Sequence, residues 1–323
     1  MEETQFSDRP QIQQHRLEFF GKGSDFFGIM IVNWILTLIT FGIYYPWARA
    51  RRLNYIYGQT AFNNERFYFS GTGNEMFRGF IKLILFMVAA VVISFGFMSF
   101  LEMPVLSVLF FYGIILAIIP FAIHGSFRYR MSRTSLRGIR FGYRGDRSEL
   151  TGLFFKEFFL TIITLGIYGA WFQMAIRRYT HSNIRYGDAE FSNQSSGSEW
   201  FFLNLKGYVL TVITLGIYLF WWQRDIFEFY FNNLRIKRGN QELKFFSTAT
   251  GGGFFSLLIV NLLIVIFTLG LGAPWAEMRV IKFMCDHIQM EGDLDFSDIH
   301  QTEEEYLNAF GEDAMDFFEI DLT

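Results

Sequence analysis

The sequence predicts a mainly α-helical, polytopic membrane protein. About six hydrophobic helices fall in repeated strand–helix–break–helix units, with short β-strands at the repeat junctions. Three observations carry that prediction: an unusually apolar composition, several long runs without a charge, and one motif that recurs four times at fixed internal spacing.

Of 323 residues, 51% are hydrophobic and 20% aromatic, while only 18% are charged, against about 25% in soluble domains. Disorder, a coiled coil and a collagen-like fibre are excluded by that balance. The single cysteine, Cys285, excludes intramolecular disulfides and thiolate zinc clusters. A large soluble core or a membrane protein remains, and the apolar runs decide for the second. A helix needs roughly 20 mostly apolar residues to cross a bilayer. Residues 26–46, 83–101, 105–123 and 254–275 meet that length, and the middle pair reads as a hairpin turning at Glu102–Pro104. Two shorter runs, 158–172 and 207–222, begin beside Lys156, Glu157 and Lys206; they span if those charges sit at the interface.

The repeat is the strongest pattern. The segments TFGIYYPW, TLGIYGAW, TLGIYLFW and TLGLGAPW run from Thr40 to Trp47, Thr164 to Trp171, Thr214 to Trp221 and Thr268 to Trp275. Gly42, Gly166, Gly216 and Gly270 weaken the helix, and Pro46 and Pro274 cannot continue it without losing a hydrogen bond. The threonine hydroxyl is placed to satisfy a freed carbonyl, and the Tyr and Trp rings suit a lipid headgroup boundary. These twelve Thr, Gly and Trp positions are therefore structural markers of a helix break. A broken helix that shapes a binding site is the alternative. Between the copies lie aromatic, strand-like stretches running into glycine: 17–23, 67–73, 139–145, 190–197 and 244–253, with Gly supplying the turn into the next helix. A sixth stretch, LDFSD at 294–298, reads as a closing strand. Five units follow, of which the second, about 67–138, is divergent.

Residues 1–16 form an N-terminal polar segment, 17–298 the repeat-built membrane domain and 299–323 an acidic C-terminal tail. The net charge of −3 hides a division, since residues 291–323 carry twelve acids and no Lys or Arg. The arginines between 128 and 147 are dense enough to grip nucleic acid. Directly after a hydrophobic helix they are read instead as a cytoplasmic retention signal that meets anionic headgroups. Expected partners are thus the bilayer and anionic lipid headgroups, with no nucleic acid. Thr302 and Glu305 suggest a helix cap, followed by an apolar face at Tyr306, Leu307 and Phe310; the tail docks on a protein partner or on the chain itself. Topology stays open. With Lys156 and Lys206 set aside at span entries, alternating spans put eighteen basic residues in the loops after spans one, three and five, against eight elsewhere. Yet every repeat has basic residues after its Trp, which suits re-entrant hairpins that all return to the cytoplasm.

No hydrolase, metalloprotease or Walker signature occurs, and the five histidines are scattered; neither enzymatic activity, a metal nor a cofactor is expected. Seven residues before the repeat threonines stand Asn33, Glu157, Gly207 and Asn261. Buried polar residues in apolar helices are costly and often functional. Asn33, Glu157, Asn261 and the nearby Lys206 are therefore candidate pathway- or ligand-lining residues, with interhelical hydrogen bonding as the plainer reading.

The recurring Thr-Leu-Gly-Ile-Tyr-x-x-Trp, its trailing arginines and the stretch FYFSGTG at 67–73 resemble the YjgN-like bacterial inner-membrane proteins, a domain of unknown function. The resemblance covers about residues 15–300 and is best at 37–52, 67–73, 161–171 and 211–221. It implies a multi-pass location in the bacterial inner membrane and transfers no catalytic residues. Transport or binding of a small or amphiphilic molecule within the membrane is the expected role. The alternative is a structural or regulatory protein that recruits partners through its basic face and acidic tail.

Overall fold

A computed structural model describes residues 13–100 and 102–302. It shows five units of strand, helix, helix, strand. Unit one comprises β1 (Gln13–Phe19), α1 (Gly23–Ile39), α2 (Tyr45–Gln59) and β2 (Thr60–Phe62). Unit two comprises β3 (Glu65–Phe69), α3 (Gly73–Ser99), α4 (Pro104–Arg133) and β4 (Thr134–Leu136). Unit three has β5 (Ile139–Tyr143), α5 (Arg147–Ile163), α6 (Gly169–Ser182) and β6 (Ile184–Tyr186). Unit four has β7 (Ala189–Asn193), α7 (Gly197–Ile213), α8 (Leu219–Asn232) and β8 (Leu234–Arg238). Unit five has β9 (Gln241–Ser247), α9 (Gly251–Phe267), α10 (Ala273–His287) and β10 (Ile288–Gly292).

All neighbouring strands are antiparallel, and β1 pairs with both β2 and β10, so the ten strands close into a barrel. Tight turns such as Asn63–Asn64 and Arg137–Gly138, with positive φ at both central residues, join one unit to the next. Inward side chains fill the barrel: Leu17, Phe62, Phe141, Tyr186, Ile236, Leu243 and Met290 belong to one apolar cluster. Residues 293–302 stopper the end away from the helices. Leu294, Phe296 and Ile299 are buried in the same cluster, and Phe296 packs edge-on to His15 and Phe62. The segment is tied across the barrel by Thr302 Oγ1 donating to Gly187 O (2.7 Å) and His300 N donating to Asp188 Oδ1 (3.2 Å). Arg238 clamps the same corner through Asp188 and Asp298.

Every helix pair leaves the barrel from one strand and returns to the next. All five hairpins therefore project from the same end, and the ten helices touch in sequence around a closed ring from α1 to α10. α3 and α4, of 27 and 30 residues, are long and apolar enough to cross a membrane, while α1, α5, α7 and α9 have 17 residues each.

Several expectations are corrected here. The chain is mainly helical, but its architecture is a ten-stranded barrel crowned by ten helices, not about six helices linked by isolated strands. The runs at 26–46, 158–172, 207–222 and 254–275 are each a first arm, a turn and the start of a second arm; only the unit-two pair is long enough to cross. Each unit ends in a second strand that the sequence reading lacks. β2, β4 and β6 have three residues each and follow a helix with at most one residue between, too short to show an alternation. The closing strand is β10, and LDFSD is not a strand. Asp295 accepts from Ser297 N and hydroxyl, and that local turn, Phe296–Asp298, competes with ladder pairing. The acidic tail beyond Thr302, with its cap and its apolar face, and residues 1–12 of the polar segment lie outside the described residues.

Candidate functional site: hairpin tips, seams and cavities

The repeat motif forms the hairpin tip. Thr40 Oγ1 donates to Leu36 O (2.7 Å) and accepts from Tyr44 N (3.0 Å). One hydroxyl thus ends the first helix and starts the second. Thr164, Thr214 and Thr268 repeat the arrangement with Tyr168, Tyr218 and Gly272. The following two residues take positive φ: Phe41 and Gly42, Leu165 and Gly166, Leu215 and Gly216, Leu269 and Gly270. Glycine tolerates that region; for Phe and Leu it costs roughly 1 kcal/mol. Among the described residues those strained side chains are the most exposed large apolar groups, at 97%, 94%, 94% and 93%.

The repeat tryptophans sit at seams between hairpins. Trp47 lies on Gly73, Trp171 on Gly197, Trp221 on Gly251 and Trp275 on Gly23. Each glycine opens the first helix of the next unit, and a Cβ on any of them would overlap the indole. Phe77, Phe201 and Phe27, one turn on from those glycines, pack their rings against Trp47, Trp171 and Trp275. The tryptophans, expected at a headgroup boundary, are therefore locks that join units one to two, three to four, four to five and five to one.

The second-to-third joint has no such lock. Trp47, Trp171, Trp221 and Trp275 stand at one fixed distance ahead of Thr60, Ile184, Leu234 and Ile288, where the next strand begins. That distance ahead of Thr134 is Phe121. The glycine position is Arg147, at the start of α5. Here α4 and α5 are the least closely packed neighbours in the ring, and a cavity of about 710 Å³ opens, lined by Phe121, His124, Arg128, Asp146, Arg147 and Thr151 among others.

A second cavity, of about 500 Å³, lies on the other face of this seam, between α4, α5, α6 and Tyr230 of α8. Its walls are Leu116, Ile119, Ile123, Phe127, Phe154, Phe158, Phe172 and Ile176; its polar groups are Gln173, Arg177, Thr180 and His181. The Arg177 guanidinium stacks 3.7 Å from the Tyr230 ring centroid, and its Nε is buried without a hydrogen-bond partner among the described residues.

The four candidate lining residues lie in separate hairpins and enter neither of these two cavities; Asn33 lines a third, of about 510 Å³, formed by its own hairpin. Asn33 of α1 donates to Ala48 O, and Asn261 of α9 donates to Ala276 O while accepting from Arg279 Nε (3.0 Å). Both staple one arm of a hairpin to the other. Glu157 is buried in α5 with Lys156 at 3.5 Å. Lys206 is exposed and lies 3.7 Å from Asp225. At the equivalent position in unit four, Gly207 leaves room for the Trp222 ring. Arg177 and Arg147 escaped the sequence reading as site residues. Aligning the units on their second strands would have exposed Arg147 and Phe121 as the one break in the lock pattern.

A family model for bacterial proteins of unknown function, DUF898, matches residues 14–198 and 225–317. The chain belongs to that family. Among curated proteins, this DUF898 chain is similar to the inner membrane protein YjgN of Salmonella typhimurium, 37% identical over 40% of the chain and 31% of the relative. The YjgN proteins of two Escherichia coli strains, O157:H7 and K12, are 30% and 29% identical over 50% of the chain and 38% of their own length. These matches thus span 31–38% of the length of the curated relatives. No solved structure matches the chain.

Proposed function

We propose that this DUF898 protein is an inner-membrane protein that binds an anionic amphiphile in the cavity around Arg177. The location draws on the inner-membrane YjgN relatives and on α3 and α4. Helix rise supports a specific seating. From Lys156 to the tip Leu165, and from Lys206 to Leu215, the first arms rise about 13 Å, close to one leaflet of a hydrocarbon core roughly 30 Å thick. From Lys82 to Phe100, α3 rises about 27 Å, close to the whole core. Four hairpins then dip into one leaflet and the α3–α4 hairpin crosses. The packed, stoppered barrel stays in water.

One observation carries the ligand class: a largely apolar cavity of about 500 Å³ holding a guanidinium whose Nε is unpartnered. Aliphatic and aromatic walls suit an acyl chain, and Arg177 suits its carboxylate or phosphate, since such pairs form short charge-assisted bonds. Gln173 and His181 stand in the same cavity to complete the polar end. Through-barrel transport finds no support, because side chains from all ten strands occupy the interior.

The test is fluorescence binding of cis-parinarate to the detergent-purified full chain. Arg177→Lys should bind several-fold and Arg177→Ala about tenfold more weakly. Equal binding by all three proteins, or none by the unaltered chain, overturns the reading.

A further inference from the structure

We infer that the α4–α5 seam is a second, separate site, built to hold the phosphate of an anionic lipid headgroup. The other four seams share one closure. Each is closed by an indole lying on a helix-opening glycine, a contact that leaves no room for a side chain or a ligand. At this seam both members are changed together. Phe121 is smaller than Trp, and Arg147 puts a cation where the others have a bare Cα. The result is an open cavity of about 710 Å³ in place of a lock.

The groups around it are those that bind phosphate. Arg128 comes from the barrel end of α4 and Arg147 from the first turn of α5, with His124 beside them. Ser148 and Thr151 add hydroxyls. Asp146, the acid on the wall among the described residues, is already engaged, capping α5 by accepting from Glu149 N at 2.8 Å. Arg147 Nε is buried and unpartnered among the described residues. Guanidiniums from two helices lining one cavity suit a phosphate's several oxygens better than a single charge.

The position selects a lipid as the carrier of that phosphate. The cavity lies against the crossing helix α4 and at the first turn of α5. Along the crossing helix, Phe121 lies about 27 Å from Met103, at the barrel-side edge of the hydrocarbon core, which sets the α4 wall of the cavity at headgroup height; Phe155 and Phe159, 38% and 63% exposed on α5, would flank an acyl chain above it. The lipid assignment rests on the membrane seating proposed above; the anion site itself does not, and neither depends on Arg177.

Native mass spectrometry of the full chain with dioleoyl phosphatidylglycerol, dioleoyl phosphatidylcholine or inorganic phosphate tests this. Phosphatidylglycerol should be retained in preference to phosphatidylcholine. Arg128→Gln/Arg147→Gln should weaken retention about tenfold, and Arg177→Ala should leave it unchanged. The decisive variant is Phe121→Trp/Arg147→Gly, which writes the lock of the other four seams into this one and should abolish retention. Equal retention of the two lipids, or of phosphatidylglycerol by both double variants, overturns the site. Phosphate displacing the lipid at equal concentration overturns the lipid assignment. If the Trp/Gly variant fails to fold, the Gln pair still decides.

Discussion

Trp275 of the last hairpin lies on Gly23 of the first. That contact closes the helical crown just as the β1–β10 pairing closes the barrel beneath it. The two rings are closed by different physics. Backbone hydrogen bonds seal the barrel. Indole-on-glycine packing seals the crown, and it works only where a first helix starts without a side chain.

The locks should therefore be sensitive to one methyl group. Gly197→Ala places a Cβ inside the Trp171 ring and should destabilise the protein by about 1–3 kcal/mol, the usual cost of overpacking. Gly252→Ala meets nothing within 4 Å and should be neutral or slightly stabilising, because alanine is the better helix former. Thermal unfolding of both variants in one detergent checks the contrast.

The hairpin tips test the seating. In a Cys285→Ser background, single cysteines at Leu165 and Leu215 should resist a membrane-impermeant maleimide from either side. Cysteines at Met103 and Asn240 should label from opposite sides. Labelling at Leu165 or Leu215 from the Met103 side would show that the short hairpins cross instead of dipping.

Acid should loosen the barrel stopper. Burial beside Phe62 and Phe296 lowers the His15 pKa below 6.5, with the Asn63 hydrogen bond opposing. The unfolded chain then binds more protons than the folded one below pH 6.5. The stability contributed by neutral His15 is full above that pH and is lost as pH falls from 6.5 toward the folded pKa. Asp188, also held low, loses its contribution only below its ordinary value of 3.8: burial pushes its pKa up, and the hydrogen bonds from Arg238 and His300 N outweigh that. Melting temperatures between pH 7 and pH 5 should fall for the unaltered chain and fall less for His15→Gln.

Much of the crown was legible. The Thr-x-Gly spacing marked four of the five helix breaks because the break is local: one hydroxyl bridges two turns, and one glycine takes the φ that the turn requires. The stretches ending in glycine marked β1, β3, β5, β7 and β9 for the same reason. The second strands were not legible, since TAF, TSL and IRY are ordered by neighbouring strands and carry no signal of their own. Asn33, Glu157, Lys206 and Asn261 stood out as polar residues in apolar helices. Yet which face of a helix meets an adjacent arm is set by hairpin packing, and Asn33 and Asn261 face their own second arms.

By itself the sequence determined the apolar character, the five-fold repetition and the place of every hairpin turn, because composition and short-range backbone chemistry fix these. Only the tertiary structure decided that the units close on themselves, that the tryptophans are locks, and that Phe121, Arg128 and Arg147 meet at the one open seam. Those facts depend on contacts between units distant in the chain, and burial and close packing are settled only when the ring is shut.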